Sequence, residues 1–191
     1  VHLAGENLAA GRWTEARKRA IRDSRVGPTR RLAEAIAKLD RKPTVFVSAS
    51  AVGVYGDRGD EVLNESAAPG TGFLADVCEA WEEAAEPASR AGVRVVHPRI
   101  GIVLTPKGAA LGKQLLPFKM GGGAVLGSGK QWLPWITMHD LLGVLHECVM
   151  NDAVSGAVIA AAPTPVTNRA FTKTLGRVLR RPAFFWLPRI V

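Results

Sequence analysis

Pro43-Thr44-Val45-Phe46-Val47-Ser48-Ala49-Ser50-Ala51-Val52-Gly53-Val54-Tyr55-Gly56-Asp57 is the stretch on which the fold turns. Val45-Phe46-Val47 is short, apolar and β-branched, the composition of a strand in a parallel sheet covered on both faces. It ends in small residues and hydroxyls and runs into a turn containing Gly53. In open parallel sheets ligands bind beyond the carboxyl ends of the strands. Small side chains there let a ligand reach the backbone, and a hydroxyl such as that of Ser50 is placed to hydrogen-bond a reacting oxygen. The same residues equally suit an ordinary strand-to-loop turn.

Upstream, Val1-His2-Leu3-Ala4 reads as the end of a buried strand running into Gly5. Thr14 is the expected N-cap of a basic helix over 13–25, with Glu15 in its first turn. Gly27-Pro28 interrupts, and Leu32, Ala35, Ile36 and Leu39 resume at helical spacing over 29–39. Downstream, Phe73, Val77, Ala80, Trp81, Ala84 and Ala88 mark one face of a helix over 72–91, with Asp76, Glu79, Glu83 and Glu86 on another. Strand-like runs follow at 93–97 and 100–104. A helix over 110–120, an extended glycine-rich pair over 124–136, a helix over 139–150, a strand over 157–161, a helix over 168–179 and a last apolar strand over 184–187 complete the chain. Strand and helix alternate throughout, the pattern of an α/β fold with a largely parallel sheet.

The 191 residues are 47% hydrophobic, enough for one well-filled domain and too apolar for a disordered chain. The apolar run from Gly156 to Ala162, closed by Pro163, is far too short to span a bilayer. Cys78 and Cys148 make no disulfide framework, and with no signal-peptide pattern the expected compartment is the cytoplasm. The chain opens Val-His-Leu-Ala-Gly, without Met, which suggests a piece of something longer. Net charge is +8, distributed as +6 over 1–42, −6 over 43–98 and +8 over 99–191. A nucleic-acid surface gathers its cations on one stripe with stacking aromatics between them. Here an acidic block interrupts, so neither nucleic acid nor membrane is an expected partner.

Three common motifs fail. Gly-Ser-Gly-Lys at 127–130 has Ala124 where a P-loop needs its first glycine and Gln131 where it needs a hydroxyl. No Gly-x-Gly-x-x-Gly exists, since Gly121/Gly123 is followed by Leu126 and Gly127/Gly129 by Trp132. Ser50 lies between Ala49 and Ala51, so it is no Gly-x-Ser-x-Gly elbow. His139, His146 and Cys148 match no common metal spacing, and no metal is expected.

Several segments in order resemble one family: His2-Leu3-Ala4-Gly5-Glu6-Asn7, Ser50 to Asp57, Trp81-Glu82, Arg99-Ile100-Gly101-Ile102-Val103-Leu104, Leu116-Pro117-Phe118, Gly127 to Gln131 and Trp135 to Asp140. They resemble the extended short-chain dehydrogenase/reductases, in the atypical epimerase-like branch typified by bacterial YfcH proteins and a human short-chain dehydrogenase homologue. The resemblance implies a Rossmann-like doubly wound parallel sheet, here partial, with a smaller C-terminal substrate region. Residues 1–105 would be the later half of the NAD(P)-binding domain, and 106–191 a substrate-binding region with returning strands. It implies NADP or NAD as cofactor and a small carbonyl or nucleotide-sugar-like molecule as substrate. Leu3, Ala4 and Gly5 would pass the adenosine side. Ala49 and Ser50 would lie by the nicotinamide ribose, with Ser50 at the active-site hydroxyl position. Arg99, Ile100 and Gly101 would form a loop over the carboxamide, and Gln131, Trp132 and Trp135 would face the substrate.

The chain departs from the pattern twice. The glycine-rich phosphate loop lies upstream of the Leu-Ala-Gly turn in such proteins, so these 191 residues are expected to bind the cofactor poorly. The superfamily's Tyr-x-x-x-Lys pair is missing. If Glu82 aligns with the glutamate that follows that pair, its positions hold Leu74 and Cys78, leaving Tyr55 and Cys78 as proton-donor candidates. A non-catalytic NAD(P)-binding module is therefore the alternative to an enzyme. A homodimer through helices 13–25 and 72–91 is also expected from the family habit, with the Trp81 and Phe73 face carrying it.

Overall fold

The structure, a computed structural model, describes residues 1–188. In chain order its elements are α1 (Glu15–Ala37), β1 (Val45–Val47), β2 (Ser50–Ala51), a 3-10 turn (Val52–Tyr55), α2 (Phe73–Glu83) and α3 (Glu86–Arg90). They continue with β3 (Arg94–Ile100), β4 (Ile102–Leu104), α4 (Ala109–Lys119), β5 (Ala124–Leu126), β6 (Trp132–Leu133), β7 (Trp135–Thr137) and α5 (Met138–Met150). The last are β8 (Gly156–Ala160), β9 (Val166–Thr167), α6 (Asn168–Leu179) and β10 (Phe185–Leu187). The α/β alternation is as the sequence predicts. No helix of the described residues is long and apolar enough to cross a membrane.

Packing divides the chain into one unit of residues 1–100 with 142–160, and a second of 101–141 with 161–191. Segment 142–160 belongs with the first unit because β8 is a strand of its sheet. In that sheet β3 is central and every pairing is parallel. β1 and β2 run along one side of β3, Val45 to Val47 opposite Arg94 to Val96 and Ser50 opposite Arg99. β8 runs along the other side, Val96 to Ile100 opposite Gly156 to Ala160. His2 adds a parallel bridge to Ser48, its N–H donating to the Val47 carbonyl oxygen while its own carbonyl accepts from Ala49 N–H.

The expected break at Gly27-Pro28 does not occur: α1 runs through both residues. Gly27, with no Cβ, removes much of the clash that a residue before proline suffers in helical conformation. Packing holds the rest, because Ile21, Thr29, Ala33 and Ile36 are buried on both sides of the proline. Thr14 caps the start, its Oγ1 accepting from Arg17 N–H at 3.2 Å. Ala33 and Ile36 form a core with Phe46, Ala85, Ala88 and Val93. The expected helix over 72–91 is instead two helices, because Pro87 has no N–H to continue the ladder and stands in the first turn of α3. α1 and α2 pack on each other: Trp81 Nε1 donates to Thr29 Oγ1 at 3.0 Å, and Trp13 meets Phe73 edge-on at 5.6 Å. The Trp81 and Phe73 face is thus engaged inside one chain.

The second unit holds three two-stranded ribbons, β4–β7 and β5–β10 parallel and β6–β9 antiparallel, with α4 and α6. Thr167 caps α6, accepting from Ala170 N–H.

Candidate functional site

In the first unit the Ser48–Gly56 segment delivers two hydroxyls to one buried ion pair. Ser50, 2% exposed at the start of β2, donates from Oγ to Glu82 Oε1 at 2.5 Å. Glu82, in the last turn of α2, accepts a two-pronged pair from Arg99: Nε to Oε1 and Nη2 to Oε2, both 3.0 Å. Arg99 Nη1 donates to the Tyr55 hydroxyl at 2.9 Å and to the Glu65 carbonyl oxygen at 3.1 Å. Its guanidinium also lies 5.2 Å from the centre of the Tyr55 ring. One guanidinium therefore ties β3, α2, the 3-10 turn and the 57–71 loop together, and Glu82 carries the tie to β2.

Burial by itself would raise the Glu82 carboxyl. The Arg99 and Ser50 hydrogen bonds and the Arg99 charge outweigh it, so the group is held below the ordinary carboxylate value. His97, two residues before Arg99 on the same strand face, turns Nδ1 to the Ser48 carbonyl oxygen at 3.3 Å. Its pKa is lowered, chiefly by burial. Cys78 packs over the turn: a Cβ on Gly53 would stand 3.6 Å from Leu74 Cβ and 3.8 Å from Cys78 Sγ. Burial pushes the Cys78 thiol up to about 11, so it is neutral near pH 7 and supplies no positive charge to a neighbouring hydroxyl.

The residues expected around a cofactor divide. Leu3, Ala4 and Gly5 leave the His2 bridge exposed, next to the buried Ala49 and Ser50 at the adjoining strand end. That step, with small side chains at the carboxyl ends of two parallel strands, fits the edge of a nucleotide. Among the described residues the N-terminus of α1, the helix that follows this segment, is no phosphate cradle, since it opens with Glu15 and Thr14 already caps it. Arg99 and Ile100 are not loop residues. They are the last pairs of β3 with β8, and the Arg99 guanidinium is committed to Glu82 and Tyr55.

Both glycines have packing reasons of their own. A Cβ on Gly5 would meet the Arg25 guanidinium at 3.0 Å. In the second unit a Cβ on Gly101 would lie 2.6 Å from the Pro134 carbonyl oxygen, which accepts Ile102 N–H at 2.7 Å. Also in that unit, Trp135 lines a cavity of about 120 Å³, while Gln131 and Trp132 are not among its walls. Gln131 donates to the Leu126 carbonyl oxygen instead.

Two residues were given no role from sequence. Glu82 was visible in the Trp81-Glu82 pair but gave no sign of its partner Arg99, seventeen residues away. Gly70 closes the 3-10 turn: its N–H donates to the Val54 carbonyl oxygen at 2.9 Å, and a Cβ there would stand 2.0 Å from the Tyr55 carbonyl oxygen. The Gly70-Thr71-Gly72 spacing is the local signal that could have found it.

The α/β arrangement around a parallel sheet is a Rossmann-like fold, similar to those of solved epimerase structures. The chain is 43% identical over 190 residues to an epimerase family protein of Mycobacterium bovis, covering 100% of this chain and 62% of that protein. It superposes on the crystal structure of human epimerase family protein SDR39U1 (isoform 2) with NADPH at a TM-score of 0.92 and 35% identity, covering 97% of this chain and 64% of that one. A nucleoside-diphosphate sugar epimerase from Corynebacterium glutamicum matches at a TM-score of 0.77 and 41% identity, over 92% of this chain and 39% of that one. No protein-family model matches the chain. The chain thus spans about three fifths of the length of the curated relatives it matches.

Proposed function

We propose that these residues are part of an NAD(P)-dependent oxidoreductase or epimerase of the extended short-chain dehydrogenase type, in its atypical epimerase-like branch, acting on a small carbonyl or nucleotide-sugar-like substrate. The observation that carries the reading is the near-complete superposition, over 97% of the chain, on a relative crystallised with NADPH. In this reading Leu3, Ala4 and Gly5 with Ala49 and Ser50 would hold one edge of NADP or NAD, and the dinucleotide supplies hydride exchange. Ser50 is the candidate that touches the reacting centre. Its proton is committed to Glu82, so its oxygen is presented as an acceptor. Tyr55 accepts from Arg99 and keeps its own proton for donation.

A second reading, an NAD(P)-binding module without turnover, rests on Leu74 and Cys78 standing over the Gly53 turn where the superfamily's tyrosine and lysine are expected. Neither can move a proton as that pair does. Calorimetry with NADPH tests the common ground. The 191 residues alone are expected to bind more weakly than low micromolar, and a polypeptide of the relatives' full length to bind tightly. Equal low-micromolar binding by both would overturn the assignment of the phosphate site to other parts of the protein, and no binding by the longer chain would overturn the cofactor. Incubating that longer chain with NADPH and a panel of carbonyl compounds separates the two readings, tight binding without turnover favouring the module.

A further inference from the structure

We propose that the cavity within the second unit is a binding subsite for a compact, neutral ring or branched group of six to eight heavy atoms bearing one polar substituent. This stands whether or not the cofactor reading holds. The cavity of about 120 Å³ is walled mainly by Leu104, Leu133, Trp135 and Phe171, with Gln114 and Asn168 as the polar wall residues. Protein interiors leave few voids larger than a water, and an apolar void of roughly 150 Å³ takes up benzene.

The walls are fixed from several directions, so the site is preformed. Leu104 pairs with Thr137 in the β4–β7 ribbon and Leu133 with Val166 in the β6–β9 ribbon. Trp135 is anchored by its indole N–H on the Thr164 carbonyl oxygen at 3.2 Å. Each amide is held by one end and leaves the other for a ligand. Gln114 Nε2 donates to the Ala110 carbonyl oxygen at 2.7 Å, and Asn168 Oδ1 accepts from Leu126 N–H at 2.9 Å. The opposite ends of these wall amides, Gln114 Oε1 and Asn168 Nδ2, are one acceptor and one donor.

Among the described residues no cation lines the cavity. Arg169, beside Asn168 in sequence, directs its guanidinium to the Ser128 carbonyl oxygen at 3.3 Å. A phosphate or carboxylate would be desolvated here without a counter-charge, which excludes anions from the site. The ligand class is therefore a neutral hydroxy- or keto-bearing ring rather than the diphosphate portion of a nucleotide sugar.

The test titrates benzene, phenol and benzoate into the 191-residue protein while following indole and backbone N–H resonances. Phenol and benzene are expected to give saturable shifts centred on Trp135, with phenol tighter than benzene and at least tenfold tighter than benzoate. Leu133→Phe, which fills the void, is expected to abolish binding with the circular dichroism unchanged. Should that variant not fold, Gln114→Leu serves: it is expected to remove the advantage of phenol over benzene while benzene still binds. Absence of saturable shifts, shifts away from Trp135, or benzoate binding as well as phenol would each overturn the subsite.

Discussion

Glu82 shows how much rests on one side chain. It and Arg99 are largely out of water, 17% and 9% exposed in their side chains, so each is costly to leave alone. Glu82→Ala is expected to destabilise the protein by about 3–5 kcal/mol in urea unfolding, because it strands the guanidinium. Glu82→Ala with Arg99→Met together should cost less than the two single changes summed; additive costs would remove the coupling. Acid should act in two stages. His97 has a lowered pKa, so the unfolded chain takes up its proton first, and stability falls as pH drops below about 6.5. Glu82 lies below its ordinary 4.5, so its contribution is present above that value and is lost only as pH falls through its lower folded value. His97→Gln should reduce the upper stage without touching the lower one, leaving the part that His2, also lowered by burial, contributes; an unchanged stability profile between pH 5 and 7 would sink this account. Ser50 and Tyr55 were legible in sequence as hydroxyls near a strand end. That both converge on the Arg99–Glu82 pair, Ser50 through Glu82 and Tyr55 through Arg99, was not, because the convergence depends on α2 being placed beside β3, a tertiary fact with no local signature.

At the scale of elements, α1 runs against its own sequence. Pro28 leaves one turn of the helix without a backbone donor and ordinarily costs about 3 kcal/mol relative to alanine in a helix interior. Pro28→Ala is expected to stabilise the protein by about 1–3 kcal/mol, read as a rise in thermal midpoint, with the far-ultraviolet helical signal kept. A lower midpoint would mean that the proline ring packs usefully against its surroundings. β1, β8 and β10 lie within two residues of their expected runs, since apolar β-branched runs between glycines and prolines have few alternatives, whereas β3 runs three residues past the expected 97, and β2 and β9, two residues each, carry no such run. The two helix boundaries misread, at Gly27-Pro28 and at Ala84-Ala85, share a cause. Local breakers were weighed without the core, which bridges the first through Ile21, Ala33 and Ile36 and leaves Pro87 to break the second.

For the chain as a whole, the division that the family resemblance implies, 1–105 then 106–191 with returning strands, stands beside the contacts that hold the first unit. β3 is its central strand and is paired on both sides, and five of its residues face β8, which lies far along the sequence at Gly156–Ala160. Arg94 is anchored entirely from that distant segment: Nη1 donates to the carbonyl oxygens of Cys148 and Val154, and Nη2 to that of Val149 and to Asp152 Oδ1. Cys148 and Ala160, both fully buried, belong to it as well. A polypeptide of residues 1–105 would expose one side of β3 as an unpaired parallel edge and leave the Arg94 guanidinium without its acceptors, losses too large for the 5–15 kcal/mol by which domains are ordinarily stable. It is expected to show no cooperative urea transition and no near-ultraviolet signal from Trp81, whereas the 191-residue chain is expected to show both. A sharp transition in the short polypeptide, at the midpoint of the longer one, would mean that β8 and its flanking helix merely lean on a sheet that is already complete.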